Sequence, residues 1–175
     1  LADKIILDAS LTTGLPAAVT AATGIDAMVH AIEAFTSARL KNPLSDMLAR
    51  EALRLMAANI ETAVKQGDNL EARSAMLLGA MLAGQAFANA PVAAVHALAY
   101  PLGGNYHIPH GLSNSLVLPH VLRFNAPQAG QLYAELAAII LPNQELPQDP
   151  VATTELRADY FLALAGDLGL QTSLQ

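Results

Sequence analysis

The sequence predicts an all-α domain, a bundle of helices led by one short strand. Ala and Leu, two strong helix formers, supply 64 of the 175 residues. Aromatic residues make up only 5% and β-branched residues are sparse, so little of the chain favours a sheet. Capping residues and prolines recur at intervals of one helix length. With 53% hydrophobic and 14% charged residues, the chain can bury one core of ordinary domain size and is not a disordered tract.

The exception to the helical bias comes first. Lys4-Ile5-Ile6-Leu7-Asp8 is a β-branched apolar run bounded by charges, which reads as a strand leading into a loop. A lone strand finds its backbone partners only at the edge of a sheet supplied by another part of a longer protein. Thr23-Gly24-Ile25-Asp26 has the T-x-x-D form of an N-terminal cap, so a helix is expected from there to Phe35. Asn42-Pro43 starts the next, with Pro at the first helical position, and Gly67 ends it. On that helix Asp46, Arg50, Arg54 and Glu61 share a polar face, leaving Leu48, Leu53, Leu55, Met56 and Ile60 for the core. Asp68-Asn69-Leu70-Glu71 is a second capping box and opens a helix that reaches Asn89, in which Gly79, Ala83 and Gly84 would admit a close neighbour. After Pro91 a helix carrying His96 runs towards Pro101, and Gly103-Gly104-Asn105 opens a loop ending at Pro109-His110-Gly111. A further helix to Asn125 is kinked or interrupted at Pro119; a short amphipathic helix over 132–141, a solvated loop over 142–150 and a last helix over 151–168 complete the chain.

Composition excludes several functions. The net charge is -6 and the nine Lys and Arg are scattered, so there is no basic stripe to follow a phosphate backbone and no nucleic-acid partner is expected. The absence of Cys removes disulfides, thiolate metal sites and cysteine nucleophiles. Residues 75–95 approach the length of a bilayer span, but they are rich in Ala and Gly, broken by Pro91 and not anchored by Lys or Arg at the far end. A buried helix followed by a turn is expected instead, with no membrane partner. Leu1-Ala2-Asp3-Lys4 lacks the basic start of a secretory signal.

The chemistry-bearing residues are the five His, at 30, 96, 107, 110 and 120. Asp26 and His30 are four apart on one helix, so their side chains share a face and can converge on one ion. A carboxylate with an imidazole suits a divalent first-row metal, although Asp26 could equally belong to the cap. His96 lies on an otherwise apolar helix, where a buried ring must be hydrogen-bonded or metal-bound. A bond to a core carbonyl would satisfy it as well. His110, between Pro109 and Gly111, sits at a tight turn that is either a ligand site or plain surface. One carboxylate and three imidazoles from three segments would make a four-ligand site with positions left for a substrate oxygen.

Two segments resemble a known family. Ala21-Ala22-Thr23-Gly24-Ile25-Asp26-Ala27-Met28-Val29-His30-Ala31-Ile32-Glu33-Ala34, and Val95-His96-Ala97-Leu98-Ala99-Tyr100-Pro101-Leu102-Gly103-Gly104 with Pro109-His110-Gly111-Leu112-Ser113-Asn114, are similar to the two signature segments of the group III, iron-containing alcohol dehydrogenases. The likeness runs from residues 4–8 to Leu168-Gly169-Leu170. It implies a helical C-terminal domain whose metal ligands are Asp26, His30, His96 and His110. The implied metal is Fe(II), a Lewis acid on an alcohol or carbonyl oxygen, with NAD or NADP held by a separate N-terminal α/β domain across a cleft. The ligand types themselves also admit zinc or another divalent metal.

The sequence departs from the family pattern in two places. Many members carry a second His four residues after the one matching His96; here Tyr100 stands there, so Tyr100 or His107 is the expected proton relay. The family's Gly-Gly-Gly-Ser pyrophosphate loop is absent, and Gly103-Gly104 follows a helix rather than a strand. The expected organisation is a remnant strand and linker over 1–11 and a helical metal-binding catalytic domain over 12–175, truncated at its C-terminal end and inactive without the cofactor domain. That domain, a small alcohol or carbonyl substrate and further copies of the chain are the expected partners, and the cytoplasm is the expected compartment. Phe35, Phe87 and Asn89 are candidates for shaping the substrate pocket. Two alternatives stand beside this: a helical interaction or structural module with a degenerate metal site, and a glycerol-dehydrogenase-like or maleylacetate-reductase-like relative. The four matching ligands favour the iron type over the maleylacetate branch.

Overall fold

In the computed structural model, which describes residues 3–91 and 93–174, the chain is a six-helix bundle: α1 (Ala17–Phe35), α2 (Pro43–Lys65), α3 (Leu70–Asn89), α4 (Ala94–Tyr106), α5 (His110–Ile140) and α6 (Pro150–Asp167). Helix α1 is the axis, packed against α2, α3 and α5. Its apolar residues Ile25, Met28, Val29, Ile32 and Phe35 are all buried, each worth roughly 1.5–3 kcal/mol of removal from water. Leu53, Met56 and Ile60 of α2 meet them, while Leu48 and Leu55 are only partly covered. Helix α6 lies along α5 and buries Ala158, Phe161 and Leu164 there.

Several boundaries follow from the caps. Asn42 accepts the Ser45 N–H to start α2, and Asp149 accepts from Val151 and Ala152 to start α6. The box before α3 works one residue later than expected, with Asn69 accepting from Ala72. Gly79 lets α3 lie against α2, since a Cβ there would meet Met56 Cγ at 2.6 Å; Gly84 faces open space instead.

The strand expected over 4–8 does not form. No strand occurs among the described residues, and this segment runs irregularly into a 3-10 turn at Ala9–Thr12, capped by Asp8. Backbone with no neighbouring sheet edge has nothing to pair with. Helix α1 starts at Ala17, six residues before the T-x-x-D box, because Ala-rich sequence directly after Pro16 continues into it. Inside that helix Thr23 bonds back to the Val19 carbonyl and is not a cap. Gly103 and Gly104 remain helical, so the loop between α4 and α5 is only residues 107–109. The two helices expected around 112–141 are one, α5, which passes through Pro119 and Pro127. No single helix among the described residues is long and apolar enough to cross a membrane.

Candidate metal centre

Three helix segments converge on Asp26. Helix α1 presents Asp26 and His30 one turn apart, α4 brings His96 in its first turn, and α5 opens with His110 directly after Pro109. Asp26 Oδ1 lies 3.5 Å from His96 Nε2, 3.6 Å from His110 Nε2 and 3.9 Å from His30 Nδ1. Asp26, His30 and His96 each offer a ligand atom within 4.8 Å of the others. His110 stands at the rim, half-exposed, its ring 5.4 Å from that of His96. Gly111 makes this convergence possible: a Cβ there would stand 2.5 Å from the Ala22 carbonyl oxygen, so only Gly lets the start of α5 touch α1.

Hydrogen bonds decide which ring nitrogens remain free. His30 Nδ1 donates to the Asp26 carbonyl at 2.8 Å, leaving its Nε2 available. His96 Nδ1 donates to the Glu33 carboxylate at 2.7 Å. The other nitrogen of His96, Nε2, is buried and has no hydrogen-bond partner, and it faces Asp26. Leaving a buried polar atom unpaired costs about 1–3 kcal/mol, and a metal ion between His96 and Asp26 would satisfy it. The residues present therefore fit a divalent ion. Electrostatics agree: burial works against a charged His96, yet Asp26 and Glu33 push it up to about 9. Burial likewise opposes ionisation of Asp26, but His96, His30, Asn114 and His110 hold its carboxyl below the usual range. The two carboxylates that raise His96, Asp26 and Glu33, make this corner of the cluster negative.

The chain matches the C-terminal model of the Fe-containing alcohol dehydrogenase family over residues 20–175. It belongs to that family. The 1,3-propanediol dehydrogenase of Citrobacter freundii is 41% identical over 170 residues, 97% of this chain and 43% of the relative. A crystal structure of 1,3-propanediol oxidoreductase superposes with a TM-score of 0.87 at 40% identity, over 94% of this chain and 42% of that one. Sulfoacetaldehyde reductase from Bifidobacterium kashiwanohense, in complex with NAD+, superposes with a TM-score of 0.82 at 33% identity, over 95% of this chain and 42% of that one. This iron-containing alcohol dehydrogenase domain thus spans less than half the length of the relatives it matches.

Around the cluster of this family member, Phe87 meets the His30 ring edge-on at 5.2 Å. Tyr100 stacks on His110 at 6.0 Å and lies 6.3 Å from His96. His107, the other expected relay, ends α4 with a left-handed backbone (φ 57°), and no hydrogen bond or ring contact joins its exposed side chain to the cluster. Phe35 is not in the pocket; it is buried in the core under Lys41 and Arg50. Asn89 is exposed and bonds back to the Gln85 carbonyl. Two polar neighbours of the cluster escape the sequence reading. Glu33 falls seven residues after Asp26 on the same helical face, and Asn114 four after His110, bridging Asp26 and His110 through its amide. Helical spacing from residues already singled out was the signal for both.

Proposed function

We propose that this chain is the metal-holding helical domain of an NAD(P)-dependent alcohol dehydrogenase, with Asp26, His30, His96 and His110 as the ligands of one divalent ion, Fe(II) by family. The buried, unpartnered Nε2 of His96 facing Asp26 carries the reading. When bound, the ion supplies Lewis-acid polarisation of an alcohol or carbonyl oxygen. Asp26 would offset its charge, and His30, His96 and His110 would hold it. Phe87 and Tyr100 lie against the His30 and His110 rings, beside which a small substrate would sit. Tyr100, whose ring stacks on His110, would pass the alcohol proton outward through its hydroxyl. A nicotinamide cofactor belongs to the N-terminal portion that the longer relatives have; residues 1–11 would be the link to it and residues 12–175 the metal domain.

The test uses the 175-residue chain, reconstituted anaerobically with Fe(II), Zn(II) or Mn(II) and analysed for metal after desalting. About one equivalent should remain bound. His96→Ala and His110→Ala should lose it. A folded chain with all four ligands that retains no divalent metal would leave an interaction or structural module as the better reading.

A further inference from the structure

Glu33 is a carboxylate in the core, 4% exposed, reached by no Lys or Arg among the described residues. Both its oxygens are engaged. Oε2 accepts from His96 Nδ1 at 2.7 Å, and Oε1 accepts from the backbone N–H of Val95 at 2.7 Å. That second bond replaces a missing cap, because Ala93 at the head of α4 has no side chain to offer. A negative group there also suits the positive end of the helix. One side chain of α1 thus fixes both where α4 begins and how the ring in its first turn is oriented.

We propose that Glu33 is the positioning residue of the metal centre, holding His96 in the tautomer that bears its hydrogen on Nδ1 so that Nε2 turns a lone pair towards Asp26. The proposal rests on the metal reading above. An ionised carboxylate can only accept, so the ring nitrogen facing it must carry the hydrogen. The nitrogen left bare is the buried atom that lacks a partner. His30 follows the same logic with a backbone carbonyl in place of the carboxylate. Such outer partners orient a ligating imidazole and raise its basicity, and losing one typically weakens metal binding about 10–100-fold.

Glu33→Gln separates positioning from packing, since it keeps shape and volume. If the amide oxygen keeps the Val95 N–H, the amide nitrogen faces His96 Nδ1 and drives the hydrogen onto Nε2. If the amide flips, two donors oppose each other at Val95. We expect the variant to keep its helix content and metal-free melting temperature close to the parent while binding Zn(II) and Co(II) about 10–100-fold more weakly in chelator competition. The Co(II) visible spectrum should change as well. In the Zn(II)-loaded parent, the His96 Nδ1 proton should appear strongly downfield by NMR, as expected of a short bond to a carboxylate. Unchanged metal affinity in Glu33→Gln, or a Zn(II)-loaded parent lacking that proton, overturns the proposal. The NMR result decides even if the variant does not fold. If the parent chain binds no metal, the metal reading falls first and this one with it, before any variant is compared.

Discussion

Tyr100 occupies the position where many family members place a second His, and it stacks on His110 rather than pointing away from the cluster. It is also more than half exposed, so a proton on its hydroxyl can reach water. His107 lies only seven residues further on, but a left-handed turn commits its backbone to ending α4. The two residues are therefore not interchangeable. In a chain completed to the relatives' length, Tyr100→Phe should lower kcat by a factor near the low end of the about 10²–10⁴ typical of a positioned acid–base group. His107→Ala should leave kcat and its pH profile unchanged. The reverse pattern in steady-state kinetics would move the relay to His107. The spacing of Asp26 to His30 was legible because both lie on one helix. Which of Tyr100 and His107 lies beside the cluster was not, because it depends on how the end of α4 meets α5.

At the scale of elements, the site depends on contact between the first turn of α5 and the middle of α1. Gly111 is the residue at that contact, and Ala22 is the backbone it meets. A backbone carbonyl cannot swing aside like a flexible side chain. Gly111→Ala should therefore cost about 1–3 kcal/mol in urea unfolding, as overpacking does. It should also weaken metal binding, since His110 would be carried away from Asp26. Unaltered urea midpoint and metal affinity would contradict this account of the contact. A cap made by a short polar side chain was readable in advance at Asn42, which starts α2 as expected, whereas Asp149, read as part of a loop, caps α6. What resisted reading were residues whose local preference is overruled by packing. Gly103, Gly104 and Pro127 signal breaks, yet each stays helical because α4 and α5 lie against one another and α6 covers α5. The apolar run at 4–8 failed for the opposite reason: local preference was present and the partner strand was not.

For the whole molecule, the four proposed ligands, Asp26, His30, His96 and His110, come from three helices, α1, α4 and α5. An ion that binds only the folded chain adds stability by mass action, about 2.7 kcal/mol at a free concentration one hundred times Kd. The melting temperature of the chain should therefore rise with added Zn(II) and fall back on chelation. It should not respond in His96→Ala. The molecule also displays large apolar residues at Ile6, Leu11, Leu98 and Phe124.

Helix α1 supplies Asp26, His30 and Glu33 to the site and Ile25, Met28, Val29, Ile32 and Phe35 to the core. From residue 24 to residue 35 nearly every position is committed either to chemistry or to packing. The helix has no idle face on which sequence can drift. A change that repacks the core there moves Asp26, His30 and Glu33 with it, so the packing of this helix and the shape of the candidate site are inherited together.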